Sequence, residues 1–139
     1  GDVYKRQTMF YGLYEEMNHL LYCSSAGHEP GYIYRAETEQ FEEIDVRGRV
    51  LGVSQKTRYN QQEIPIYLED LIIIFTDGVT EARNREGEFI DKDKLLNLIQ
   101  KYKHMHPQDI VQIIYEGILK VQNPSRKDDM TILIIKRVN

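Results

Sequence analysis

Two stretches decide how this chain folds: Asp70-Leu71-Ile72-Ile73-Ile74-Phe75-Thr76-Asp77-Gly78 and Asp128-Asp129-Met130-Thr131-Ile132-Leu133-Ile134-Ile135. In the first, the apolar run from Leu71 to Phe75 is too short for a buried helix and fits a strand covered on both faces. The second is apolar on both alternating faces apart from Thr131, and reads the same way. Both are expected to be central strands.

Outward from these stretches, Thr8 to Tyr14 and His19 to Ser24 form a predicted hairpin around the polar turn Glu15 to Asn18. Gly31 to Arg35 and Gln40 to Ile44 form another around Ala36 to Glu39, and Gln62 to Ile66 alternates as a strand. Beyond Asp77, Leu95, Leu98, Ile99 and Tyr102 fall at helical spacing behind a cap at Asp91. Pro107 opens a further helix whose stripe is Ile110, Val111, Ile114, Ile118 and Val121. Strands first, then helices closed by a last strand, make an α+β order. Gly1 to Gln7 joins this pattern abruptly and is expected to be a junction segment foreign to the domain formed by residues 8–139.

Composition excludes several classes. With 139 residues, 41% of them hydrophobic, the chain forms one domain with a real core. Lys plus Arg number 18 against 22 Asp plus Glu, a net charge of −4, so no positive field holds nucleic acid. Cys23 is the only cysteine, which excludes an intrachain disulfide and a multi-cysteine zinc site. No apolar run is long enough to span a membrane, and a cytoplasmic protein is expected.

Chemistry is expected where the two apolar strands end. If they pair antiparallel, the exit of one and the entrance of the other meet, bringing Asp77 with Gly78 to Asp128 with Asp129. If they run parallel, the same residues stand about 20 Å apart, at roughly 3.3 Å per residue. Clustered carboxylates repel and call for a cation, and hard oxygen donors favour Mg²⁺ or Mn²⁺. Gly78 lets the backbone turn tightly there. Capping by Asp77, with a polar turn at Asp128 and Asp129, accounts for the same residues without a metal.

Ala26-Gly27-His28-Glu29-Pro30, Gly48-Arg49-Val50-Leu51-Gly52, Thr76-Asp77-Gly78-Val79-Thr80-Glu81 and Asp128-Asp129-Met130-Thr131 are four motifs that resemble, in the same order, those of bacterial PPM (PP2C-like) serine/threonine phosphatases of the SpoIIE and RsbU type. The likeness runs from about Thr8 to Val138, over the later part of that family's catalytic domain. It implies an α/β/β/α sandwich of antiparallel sheets, truncated at the N-terminus, with two Mn²⁺ or Mg²⁺ ions in an acidic cleft. Asp77, Gly78 and Asp128 then belong to the metal site, with Asp129 beside them and Gly27 and His28 in the cleft. A metal-activated water would attack the phosphorus of a phosphoserine or phosphothreonine. The implied substrate is a phosphorylated regulator, a STAS-type anti-sigma-factor antagonist. The family takes a further ligand from an earlier Asp-containing segment that Gly1-Asp2-Val3 does not match, so the fragment alone is expected to bind metal weakly and turn over little. A non-catalytic, phosphatase-like binding module is the competing reading.

Other residues read more plainly. His28 has the chemistry of an acid near the leaving oxygen, although a histidine at such a corner more often satisfies backbone groups. His104 and His106 precede Pro107 in a solvated loop. Cys23 reads as a small core residue, and Tyr11, Tyr14, Tyr22, Tyr32 and Tyr34 as sheet packing. Arg47, Arg49 and Arg58 read as scattered surface charge, with Gly48 and Gly52 shaping a turn.

Overall fold

The computed structural model describes residues 9–26, 31–44, 61–126 and 129–139. Its elements are strands β1 (Met9–Glu15), β2 (Leu20–Ala26), β3 (Gly31–Arg35), β4 (Gln40–Ile44), β5 (Gln61–Pro65) and β6 (Leu71–Phe75), helices α1 (Asp77–Thr80), α2 (Lys92–Lys101) and α3 (Pro107–Val121), and strand β7 (Ile132–Lys136). One sheet has the order β1-β2-β5 and the other β4-β3-β6-β7, every pairing antiparallel.

Period-two alternation along β6 makes two cores from one strand. Leu71, Ile73 and Phe75 join Ile99 of α2 and Ile110, Ile114 and Ile118 of α3, all buried, so the helices cover one face of the larger sheet. Ile72 faces the other way and packs with Leu21 and Cys23 of β2, Ile33 of β3 and Ile64 of β5. The described residues thus form three layers: sheet, sheet, helices.

Local chemistry supports each element. Asp91 caps α2 by accepting from the Asp93 N–H at 2.9 Å, and His106 caps α3 through Nδ1, which accepts from the Gln108 N–H at 3.1 Å. Pro107 occupies the first turn of α3, where a missing N–H costs nothing. The hairpin turns are set by side chains too: the Glu15 carboxylate accepts from the N–H groups of Met17 and Asn18, both at 2.9 Å. His19, Glu39 and Glu69 take the left-handed backbone region at the close of the β1–β2, β3–β4 and β5–β6 turns. None is β-branched, which keeps the cost small.

Two sequence expectations need correction. Among the described residues the last strand is not central: β7 ends the order β4-β3-β6-β7, and Leu133 and Ile135 are 46% and 38% exposed. An apolar pattern records which faces are hydrophobic, not whether a neighbour is there to cover them. Val121, assigned to the buried stripe of α3, is exposed because it closes the helix beyond the last core turn. The junction reading of residues 1–7 lies outside the described residues. Among the described residues, no helix is long and apolar enough to cross a membrane.

Candidate functional site

The candidate site begins where β6 ends. The pairing of β6 with β7 is antiparallel and runs from Leu71 opposite Lys136 to Phe75 opposite Ile132. One step further, the Thr76 N–H donates to the Thr131 carbonyl at 3.1 Å, and Thr76 Oγ1 accepts from the Thr131 N–H at 2.8 Å. The threonine pair therefore extends the ladder past the last regular residue and holds the β6 exit against the β7 entrance.

Past this clamp the two backbones touch. A Cβ placed on Gly78 would fall inside the carbonyl group of Asp129, 2.7 Å from its carbon and 3.3 Å from Met130 Cα. No side chain fits there, so glycine is a steric requirement of the junction. The Asp77–Thr80 turn is closed by the Val79 N–H donating to the Thr76 carbonyl at 2.9 Å, and fully buried Val79 anchors it in the helix-facing core. These contacts seat the Asp77 and Gly78 backbone beside Asp129, as antiparallel pairing of the two apolar strands demands.

The other motif segments leave from the same end. Gly31 opens β3 against Ile73 and Ile74, close to the β6 exit, and pairs with Ile44, the last residue of β4. Gln61 opens β5 opposite Ser24, near the end of β2. Residues 27–30 are thus bracketed by Ala26 and Gly31, and residues 45–60 by Ile44 and Gln61, all at the end of the sandwich where β6 exits and β7 enters. Asp128, Gly27, His28, Arg47, Gly48, Arg49, Gly52 and Arg58 lie outside the described residues. What is placed is the frame around them: four chain segments that open on one rim.

The remaining candidates fall elsewhere. His106 is spent as a helix cap, and His104 lines a cavity of about 320 Å³ with Tyr34, Ala36, Glu69 and Lys103 at the opposite end. Among the described residues, no three His, Cys, Asp or Glu side chains are grouped to hold a metal. Cys23 is 1% exposed in the inter-sheet core, where burial pushes its thiol pKa up and leaves it protonated and inert. Tyr32 and Tyr34 pack under the helices as expected.

Sequence reading did not single out Asp70, which is 2% exposed. Its carboxylate accepts from Arg35 Nη1 at 2.8 Å and from the N–H groups of Ala36 and Tyr67, each at 2.9 Å. The available signal was an acidic residue directly before the most apolar strand, a place where a charge has to find partners.

Comparison with known proteins adds the family. The family model described as Stage II sporulation protein E (SpoIIE) matches residues 4–138. The phosphoserine phosphatase RsbU of Bacillus subtilis (strain 168) is 37% identical over 130 residues, which is 94% of this chain and 38% of RsbU. The chain thus spans well under half the length of that relative. Among solved structures, the RsbU and RsbW domains of Rv1364c from Mycobacterium tuberculosis superpose with a TM-score of 0.77 at 21% identity, covering 97% of this chain and 37% of that one. The phosphatase domain of SpoIIE from Bacillus subtilis, in a form presoaked with manganese, gives 0.68 at 17% identity, over 95% of this chain and 57% of that one. These two likenesses establish a PP2C-like fold.

Proposed function

The chain belongs to the Stage II sporulation protein E (SpoIIE) family, and from that premise we propose that it is part of a metal-dependent protein phosphatase acting on phosphoserine or phosphothreonine. One observation carries the reading: the β6 exit and the β7 entrance meet so closely that only glycine fits at position 78 against Asp129. That contact brings Gly78, next to Asp77, against Asp129, next in sequence to Asp128, and so supports a reading in which acidic residues from distant parts of the sequence share one rim. Asp77, Gly78 and Asp128 would hold the metal, with Asp129 adjoining. Carboxylate and carbonyl oxygens are hard donors, which suit Mn²⁺ or Mg²⁺ and not zinc or copper.

Cations held there would supply Lewis-acid chemistry for hydrolysis of a phosphate ester by water. The residues of this chain contribute position. The threonine clamp and the Gly78 contact hold the acidic segments in register, and the strands behind them, buried on the helix side, keep that register rigid. Gly27 and His28 belong in sequence to the segment between β2 and β3, and in this reading His28 would deliver a proton to the departing serine or threonine oxygen.

The substrate in this reading is a phosphorylated regulatory protein, a STAS-type anti-sigma-factor antagonist, and the setting is the cytoplasm. Asp2 is given no ligand role, so the 139-residue chain by itself hydrolyses an aryl phosphate far more slowly than a complete phosphatase domain.

A Mn²⁺ titration followed by thermal unfolding tests the site. The wild-type Tm rises with Mn²⁺, and Asp77→Asn and Asp128→Asn each abolish the rise while leaving the metal-free Tm nearly unchanged. A wild-type Tm indifferent to Mn²⁺ and Mg²⁺ overturns the metal site. With the same substitutions in a complete phosphatase domain, loss of turnover marks an enzyme; turnover that survives them, or a domain that binds the phosphoprotein without ever hydrolysing it, refutes the catalytic reading.

A further inference from the structure

The Thr76–Thr131 clamp is not the only tie between the segments that carry the acidic motifs. Another joins the residues that follow Asp77-Gly78 to those that precede Asp128-Asp129. Residues 82–90 fold back on themselves: the Ile90 N–H donates to the Ala82 carbonyl and the Asn84 N–H to the Glu88 carbonyl, both at 2.9 Å, with Arg83 opposite Phe89. Side chains fasten this fold. Asn84 Oδ1 accepts from the N–H groups of Glu86 and Glu88, each at 3.0 Å. Arg83 Nη1 donates to the Gly87 carbonyl at 2.6 Å, and its guanidinium lies 4.0 Å from the centre of the Phe89 ring.

The folded segment is bonded in turn to the end of α3. Asn84 pairs with Gln122, the residue that caps α3, and the Asn123 N–H donates to the Arg83 carbonyl at 2.9 Å. Asn123 also sets the path toward the second acidic motif. Its Oδ1 accepts from the N–H and the hydroxyl of Ser125, at 3.0 and 2.8 Å, within the short turn Pro124–Arg126. Asp77 and Gly78 thus lie between ties at Thr76 and Arg83, and Asp128 and Asp129 between ties at Asn123 and Thr131. The two segments are pinned to each other at both ends and close a ring, which resists the swing that a single tie permits.

We propose that Asn123 is a positioning residue for the metal site, an inference that rests on the metal-dependent phosphatase reading. Its backbone N–H reaches the Asp77 side of the ring, and its side chain fixes the turn that leads to Asp128. A cap for the Pro124–Arg126 turn would account for the side-chain bonds, but not for the bond from the same residue to Arg83. In this role Asn123 touches neither metal nor substrate. It confines the acidic segments during folding, so that less ordering is left to oppose ion binding. Supports of this kind outside the ligands themselves are worth roughly 10–100-fold in metal affinity.

Mn²⁺ binding to the 139-residue chain, counted from the electron paramagnetic resonance signal of free Mn²⁺, tests the role beside the metal-free Tm. Asn123→Ala is expected to weaken Mn²⁺ binding about tenfold while lowering the metal-free Tm by only a few degrees. Asn123→Ser, whose hydroxyl accepts the same N–H more weakly, recovers most of the affinity. Asn84→Ala loosens the facing side of the same tie and weakens binding in the same sense. Asp77→Asn is the reference for the site itself. A wild-type chain that binds no Mn²⁺, or binding that Asp77→Asn leaves intact, overturns the metal reading and the positioning role with it. Where Asp77→Asn abolishes binding, the positioning role alone is overturned by any of three results: Asn123→Ala binds as tightly as the wild type, it loses affinity only in step with its metal-free Tm, or Asn123→Ser fails to restore it.

Discussion

β6 has an aspartate at each end, and the two ends of the sandwich put them to different use. At the entrance, Asp70 is buried and fully engaged with Arg35 and two backbone N–H groups. Arg35 also bonds the Pro65 carbonyl at 2.7 Å and Glu42 at 3.1 Å, so one ion pair ties together β3, β4, β5 and the start of β6. Burial pulls the Arg35 pKa down, but the bonds to Asp70 and Glu42 outweigh it and the net shift is upward. At the exit, register is held by the Thr76–Thr131 clamp and the close backbone contact at Gly78, without a comparable buried ion pair among the described residues. Three short turns close the first end, whereas the motif-bearing segments open at the second. The difference is one of labour: buried ionic bonding is concentrated where Asp70 sits, and the proposed site lies at the other end, where Asp77 follows β6.

That contrast can be broken from either side. Asp70→Ala is expected to have the largest effect, because it removes the buried carboxylate partner of a guanidinium only 12% exposed and leaves two N–H groups unpaired. A loss of about 3–5 kcal/mol in urea unfolding is expected, with any Mn²⁺-induced Tm rise retained in the fraction that folds. Gly78→Ala reverses the pattern. The Cβ would have to displace the Asp129 carbonyl, costing about 1–3 kcal/mol as overpacking does. The Mn²⁺ response should fall by far more than the stability loss explains. Equal loss of metal response in both variants would erase the proposed division.

Smaller effects sharpen the comparison. Thr76→Val removes the acceptor for the Thr131 N–H and should cost about 1 kcal/mol, together with a weaker Mn²⁺ response measured by calorimetry. Smallest of all is the surface pair at the Asp70 end, where Lys103 holds the Glu39 pKa down and Glu39 with Tyr34 raises that of Lys103. The Glu39 contribution is present above the ordinary carboxylate range and lost as pH falls through its lowered value. The Lys103 contribution is present below the ordinary lysine range and lost as pH rises through its raised value. Lys103→Ala should therefore flatten the stability profile slightly at both extremes and change little at neutral pH, an effect that salt erases.

Much of this architecture could be read from residue order alone. Periodicity placed both hairpins, the capped helices and the two apolar strands because side-chain pattern and local hydrogen bonding are short-range properties. Asp91 as a cap and Pro107 as a helix opening are legible for the same reason. The motif at Asp77-Gly78 was visible too, and the strands meet in the antiparallel sense that the expectation required.

Tertiary structure decided what depends on neighbours far along the chain. Two aspartates flanking one strand look alike in sequence, and only the arrival of Arg35 and the Ala36 N–H makes Asp70 structural. Gly78 reads locally as a flexible turn residue, but the Asp129 backbone, brought in from the other end of the helical region, makes it a steric necessity. β7 reads as a central strand, yet among the described residues it ends its sheet, because which strands come to lie beside it is decided far along the chain. Composition and spacing determine which faces of an element are apolar or charged; long-range pairing determines what those faces meet.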